Sequence, residues 1–131
     1  MRFIGLIMML ISATVCAAES PFERWQWQHR IIIISQSQPD ILKQLQANRR
    51  DIEERDIVWF YNGEETIVTN LAGPFEKAQA DSVRRYANEM SEMAILIGKD
   101  GGIKARQQQW DLNTLLAQID RMPMRRAEKQ R

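Results

Sequence analysis

Four isoleucines in a row, Ile31-Ile32-Ile33-Ile34, limit what this chain can become more than any other feature. Branching at Cβ favours extended backbone, and neighbouring side chains of a strand point to opposite faces. An unbroken apolar run therefore needs cover on both sides, which is the situation of a central strand in a mostly parallel sheet. The rest of the sequence has to supply further strands and the helices that bury them.

It does so in a regular order. Arg24-Trp25-Gln26-Trp27 precedes the strand, and both tryptophans are expected to pack at the domain edge. Ser37-Gln38-Pro39-Asp40 predicts a helix start, with Ile41, Leu42 and Leu45 on one face of a helix ending near Arg50. Residues 56–61 predict a second strand, and Asn62-Gly63 a tight hairpin returning through residues 65–69. Gly73-Pro74 opens the longest predicted helix, with Phe75, Ala78, Val83, Tyr86, Ala87 and Met90 as its apolar stripe. Residues 93–97 form another buried strand, Gly98-Lys99-Asp100-Gly101-Gly102 a turn, and residues 103–106 a half-exposed edge strand. Asp111 caps a last helix bearing Leu112, Leu115, Leu116 and Ile119, which must stop near Met122-Pro123. The charged tail, residues 124–131, is expected to fray.

The first residues carry a different message. Arg2, an uncharged apolar run from Phe3 to Val15, and Cys16-Ala17-Ala18 before Glu19 have the three parts of a secretory signal. The run is too short for a spanning helix, which takes about 20 apolar residues. Cleavage after Ala18 predicts a periplasmic or secreted domain over residues 19–131, with residues 1–18 removed. A lipidated Cys16 would instead anchor the protein to a membrane, but Val15 stands where that modification wants a small residue.

Composition then excludes whole classes of function. With 18 Lys+Arg against 17 Asp+Glu, loss of Arg2 leaves the exported domain neutral, without the basic surface that nucleic acid requires. The single cysteine is Cys16, so the exported domain has no disulfide framework and its core must hold the fold unaided.

Candidate chemistry is sparse. Ser35 or Ser37 as a nucleophile needs a neighbouring base, and the only histidine, His29, lies at the opposite end of the isoleucine strand, roughly 20 Å away. His29 has no companions for a zinc site. Asp100-Gly101-Gly102 lacks the repeated acids of a calcium loop and the lysine ending of a phosphate loop, so it reads as a plain turn. Met122-Pro123-Met124 offers thioethers suited to copper(I), but methionines closing a core are the simpler account. Two surfaces remain. Gln36, Ser37 and Gln38 open the first helix, whose free N–H groups favour anions, although Asp40 opposes them. Arg121, Arg125, Arg126, Lys129 and Arg131 face only Asp120 and Glu128 in the tail, a segment suited to an acidic protein partner or an anionic surface.

Several stretches together resemble one known family: Arg24-Trp25, Glu54-Arg55-Asp56, Leu96-Ile97-Gly98-Lys99-Asp100-Gly101-Gly102, and Ile119-Asp120-Arg121-Met122-Pro123-Met124-Arg125. In these the chain is similar to DUF4174, a domain of unknown function found alone in secreted bacterial proteins and beside sushi repeats in animal extracellular-matrix proteins. The resemblance implies an α/β, thioredoxin-like (peroxiredoxin-like) three-layer sandwich with a mixed central sheet. The order of predicted elements agrees with it, apart from the extra strand at 65–69. Working thioredoxins place a nucleophilic sulfur at the start of the first helix, where this chain has Ser35-Gln36-Ser37-Gln38-Pro39. A hydroxyl forms no disulfide and is scarcely ionised at neutral pH, so dithiol exchange is excluded on chemistry. The proline usual before the third core strand is also replaced, by Ser91-Glu92.

Three readings fit the residues. One is a cofactor-free, redox-inactive binding or scaffold module acting through its surface. The second is an oxidative-stress-linked enzyme of peroxiredoxin-like ancestry, which rests on fold analogy. The third is a membrane-surface protein held through Cys16 or the basic tail.

Overall fold

The computed structural model describes residues 20–130, so the secretory signal and Cys16 lie outside the described residues. Within them the isoleucine run is the middle strand of a five-stranded mixed sheet. Strand β1 (Arg30–Ile34) pairs in parallel with β2 (Ile57–Asn62) and antiparallel with β4 (Ala94–Ile97). Short β3 (Ile67–Thr69) extends the β2 side and β5 (Ile103–Gln107) the β4 side, giving the order β3-β2-β1-β4-β5.

The alternation expected of β1 sets the two halves of the core. Ile32 and Ile34 join Trp59, Tyr61 and Leu96 beneath helices α1 (Pro39–Ala47), α2 (Arg49–Glu54) and α4 (Leu112–Asp120). Ile31 and Ile33 join Val58, Phe60, Ile95 and Ile97 on the other face, under α3 (Lys77–Glu89) and the Phe22–Trp25 segment. All four isoleucines are buried, each contributing about 1.5–3 kcal/mol of apolar burial.

Local departures from the sequence reading have local causes. The first helix does not run on to Arg50: Asn48 folds its side-chain amide back to the Gln44 carbonyl at 2.7 Å and separates α1 from α2. Ser37 does not cap α1, whose N-cap residue is Gln38 with no side-chain cap bond; its hydroxyl lies 3.1 Å from that of Tyr61. Asn62 stays in β2, opposite Ile67, because its amide donates to the Ser35 carbonyl and to Asn88. The hairpin loop therefore takes residues 63–66 rather than the tight Asn-Gly turn. Gly63 is needed there for space, since a Cβ at this position would sit 2.5 Å from the Thr66 carbonyl oxygen. Gly63→Ala is accordingly expected to destabilise the domain by about 1–3 kcal/mol in urea titration, the usual range for overpacking.

Helix α3 begins at Lys77, later than Gly73-Pro74 suggested; Phe75 packs from the preceding segment and Ala78 is exposed. Trp25 belongs to the core, whereas Trp27 stands out in solvent. Asp111 caps α4 as expected, accepting the Thr114 N–H, and the four predicted apolar residues of that helix are buried. The largest correction concerns the tail. Instead of fraying after Pro123, the chain forms α5 (Pro123–Lys129), with Arg125 buried and Met124 exposed. No helix among the described residues is long and apolar enough to cross a membrane.

Candidate functional site

The N-terminal end of β1 gathers most of the charged residues through which the family resemblance was recognised. Arg30, the first residue of β1, is 1% exposed. Its Nη1 donates to the Arg55 carbonyl at 2.9 Å and to Glu128 Oε2 at 3.2 Å, and its Nη2 to Glu128 Oε1 at 3.3 Å. Lys99, from the β4–β5 turn, reaches the same Glu128 and also Asp56, the latter at 2.9 Å. Arg55 grips Asp120 through two bonds of 3.0 and 2.9 Å, and Arg125 holds the carbonyl and carboxylate of Glu54, each at 3.0 Å. This pairing is what turns the charged tail into a docked helix.

The electrostatics follow from the partners. The Arg55 guanidinium, despite some burial, holds the Asp120 carboxyl below its ordinary value. Burial pushes Glu128 upward, but Lys99 and Arg30 outweigh it and its carboxyl is also lowered. Lys104 and then the Gly102 N–H lower Asp100. A carboxylate depressed in the fold stabilises it above the unfolded-state value, and that contribution disappears as pH falls through the folded value. Thermal unfolding is therefore expected to hold steady from pH 7 to about pH 5 and to weaken progressively below about pH 4, where these groups protonate.

Beside this network lies a groove of about 510 Å³, lined by Arg30, Gly98, Lys99, Asp100, Lys104, Gln118, Arg121, Met122, Pro123 and Met124. Its walls are the β4–β5 turn and the α4–α5 junction. Four cationic side chains and Asp100 line it alongside the apolar Met-Pro-Met step, and three of the four are paired: Arg30 with Glu128, Lys99 with Glu128 and Asp56, and Lys104 with Asp100. Asp100 is occupied by Lys104 at 2.7 Å and by the Gly102 N–H at 2.9 Å, which makes it part of a closed turn.

The residues singled out from sequence divide between the two ends of the sheet. Arg121 lines the basic groove, Arg126 is exposed on α5, and Arg125 turns inward to Glu54. Gln36, Ser37 and Gln38 are exposed at the other end, beyond β1. Ser37 there borders a cavity of about 450 Å³ shared with Leu42, Tyr61, Glu64 and Glu65. The two glutamates of that cavity stand with Asp40 nearby in the chain, and Arg84 donates to the Gly63 and Glu64 carbonyls beside them. His29 lines a small cavity of about 160 Å³ with Gln26 and Gly101. Among the described residues no three His, Cys, Asp or Glu side chains are grouped to hold a metal ion. Sequence reasoning passed over Arg30 and Lys99; a charged residue abutting a fully buried strand was the signal for the first.

The described residues form an α/β domain with helices on both faces of a mixed sheet and a partly apolar cleft between the β4–β5 turn and the α4–α5 junction. The chain belongs to the family described as Domain of unknown function (DUF4174), whose model matches residues 21–128. No curated protein and no solved structure matches it.

Proposed function

We propose that the protein is an exported, redox-inactive binding module of thioredoxin-like architecture, acting through the basic surface at its C-terminal end. The order β2-β1-β4-β5, with one parallel and two antiparallel pairings, supports the architecture, β3 being an addition at one edge. The observation that carries the functional reading is the state of the β1–α1 junction, where a thioredoxin would keep its sulfur. Ser35 donates its hydroxyl to the Glu92 carbonyl at 2.6 Å and Ser37 is engaged with Tyr61. These hydroxyls serve as structural ties, and the basic groove at the opposite end is the better place for a partner.

Two measurements on the exported protein test this. Its intact mass is expected to match loss of residues 1–18 with no added lipid; a lipid-bearing Cys16 would replace the export reading by an anchored one. Peroxide turnover is expected to equal that of a protein-free control, and turnover above it would favour the oxidative-stress enzyme.

A further inference from the structure

We propose that helix α5 is a charge-held latch: it undocks from the sheet and unwinds as one unit while the rest of the domain stays folded, and acid and salt release it. Helices of a globular domain are usually held by an apolar stripe, and α4 is of that kind, burying Leu112, Leu115, Leu116 and Ile119. α5 has no such stripe. Its three apolar residues, Pro123, Met124 and Ala127, are all exposed, and its one buried residue is Arg125. Met122, which does pack on the core, precedes the helix. The ties from α5 to the rest of the domain are charged: Arg125 to Glu54 at 3.0 Å and to Asp120 at 3.6 Å, Glu128 to Arg30 at 3.2 Å and to Lys99, and Lys129 to Asp120 at 3.8 Å.

Such a contact is weak for its size. Ion pairs recover little beyond the desolvation they cost, and Glu54 remains largely in solvent. Docking also leaves the buried Nε–H of Arg125 without a hydrogen-bond acceptor, a loss that water repairs once the helix lets go. Seven residues are too few to stay helical without tertiary support, so release is also unwinding. Acid acts through Glu128, which faces Arg30 of β1, Lys99 of the β4–β5 turn, itself shared with Asp56, and Arg125 of its own helix. Asp120 of α4 faces Arg125 and Lys129 but keeps Arg55 when α5 departs. Against the upward push of burial, Lys99 and Arg30 hold the docked Glu128 carboxyl below its ordinary value. Undocking restores that value and takes up protons, so it is favoured as pH falls. With α5 released, Arg30 and Lys99 lose Glu128, and the N-terminal end of β1 opens beside the groove.

Amide hydrogen exchange of the purified protein, read by NMR and corrected for intrinsic rates, tests this. Residues 126–129 are expected to share one level of protection, at least about tenfold below that of Ile32 and Ile33 and indifferent to dilute urea, as local opening requires. That protection is expected to fall about threefold or more from about pH 6 to pH 4, and again from about 0.05 M to 1 M salt. Arg125→Ala should abolish it while the sheet amides stay protected and well dispersed. Met124→Gln should leave it within about twofold, both residues being good helix formers and Met124 holding nothing. Protection in α5 equal to that of β1, a gradient decaying residue by residue as in ordinary fraying, or indifference to acid or to salt would each overturn the proposal. So would loss of the sheet together with α5 in Arg125→Ala, or a larger effect from Met124→Gln than from Arg125→Ala.

Discussion

Replacing Phe60 with alanine is expected to destabilise the domain by about 3–5 kcal/mol. Phe60 sits in the middle of β2, fully buried, at the point where three chain segments meet. Its ring centroid lies 5.7 Å from that of Phe22, 5.1 Å from Trp25 and 5.6 Å from Phe75. Phe22 and Phe75 lie outside the α-helices and strands, and both rings pack on Phe60 within the core half under α3. Removing the central ring opens a cavity and also strips the rings of Phe22, Trp25 and Phe75 of their shared contact. Urea unfolding should show a lower midpoint, and a loss of about 4 °C per kcal/mol implies a melting temperature lower by well over 10 °C. A loss below about 1 kcal/mol would mean that the aromatic cluster is not packed as described.

The parts of this molecule that were legible in sequence are those governed by neighbours along the chain. The four isoleucines announced a strand buried on both faces, and the 3–4 spacing of Leu112, Leu115, Leu116 and Ile119, opened by Asp111, announced α4 with its cap. Both signals depend only on strand or helix periodicity and one hydrogen bond within a turn. What escaped depended on partners far away. The tail looked like a solvated charge run because Glu128 meets Arg30 across a separation of 98 residues, and Arg125 meets Glu54 across 71. Asn62-Gly63 pointed to a tight turn because its local preference is strong, but Asn88, brought in by α3, holds Asn62 in the strand instead. The motifs of the family resemblance were readable as words; their meaning was not. Glu54-Arg55-Asp56, Lys99 and Asp120 through Arg125 are scattered in the chain, and the fold joins them into the ion network that docks α5 and forms one side of the basic groove.

That network makes a second prediction of large effect. Glu128 is the carboxylate paired with Arg30, whose side chain is almost wholly removed from solvent. Glu128→Gln keeps the shape but strands a buried guanidinium charge, and losing one partner of a buried pair costs about 3–5 kcal/mol. Glu128 itself retains some exposure, which allows water to screen part of the effect, so about 3 kcal/mol is expected. Arg30→Met should cost less, because Glu128 keeps Lys99 as a partner. The informative variant is the double one. With the guanidinium of Arg30 gone, Glu128→Gln no longer strands a buried charge, so the double substitution should be more stable than the sum of the singles predicts, by about 1–3 kcal/mol of coupling. The pH dependence adds an independent signature. Arg30 is one of the two cations that hold Glu128 below its ordinary value against the opposing effect of burial. Arg30→Met should therefore flatten the acid limb of the stability profile, because a less depressed Glu128 loses less stability on protonation, and Glu128→Gln removes that titration altogether. Additivity within about 0.5 kcal/mol, together with an acid limb as steep in Arg30→Met as in the unaltered protein, would show that α5 is held by its apolar contacts and not by this pair.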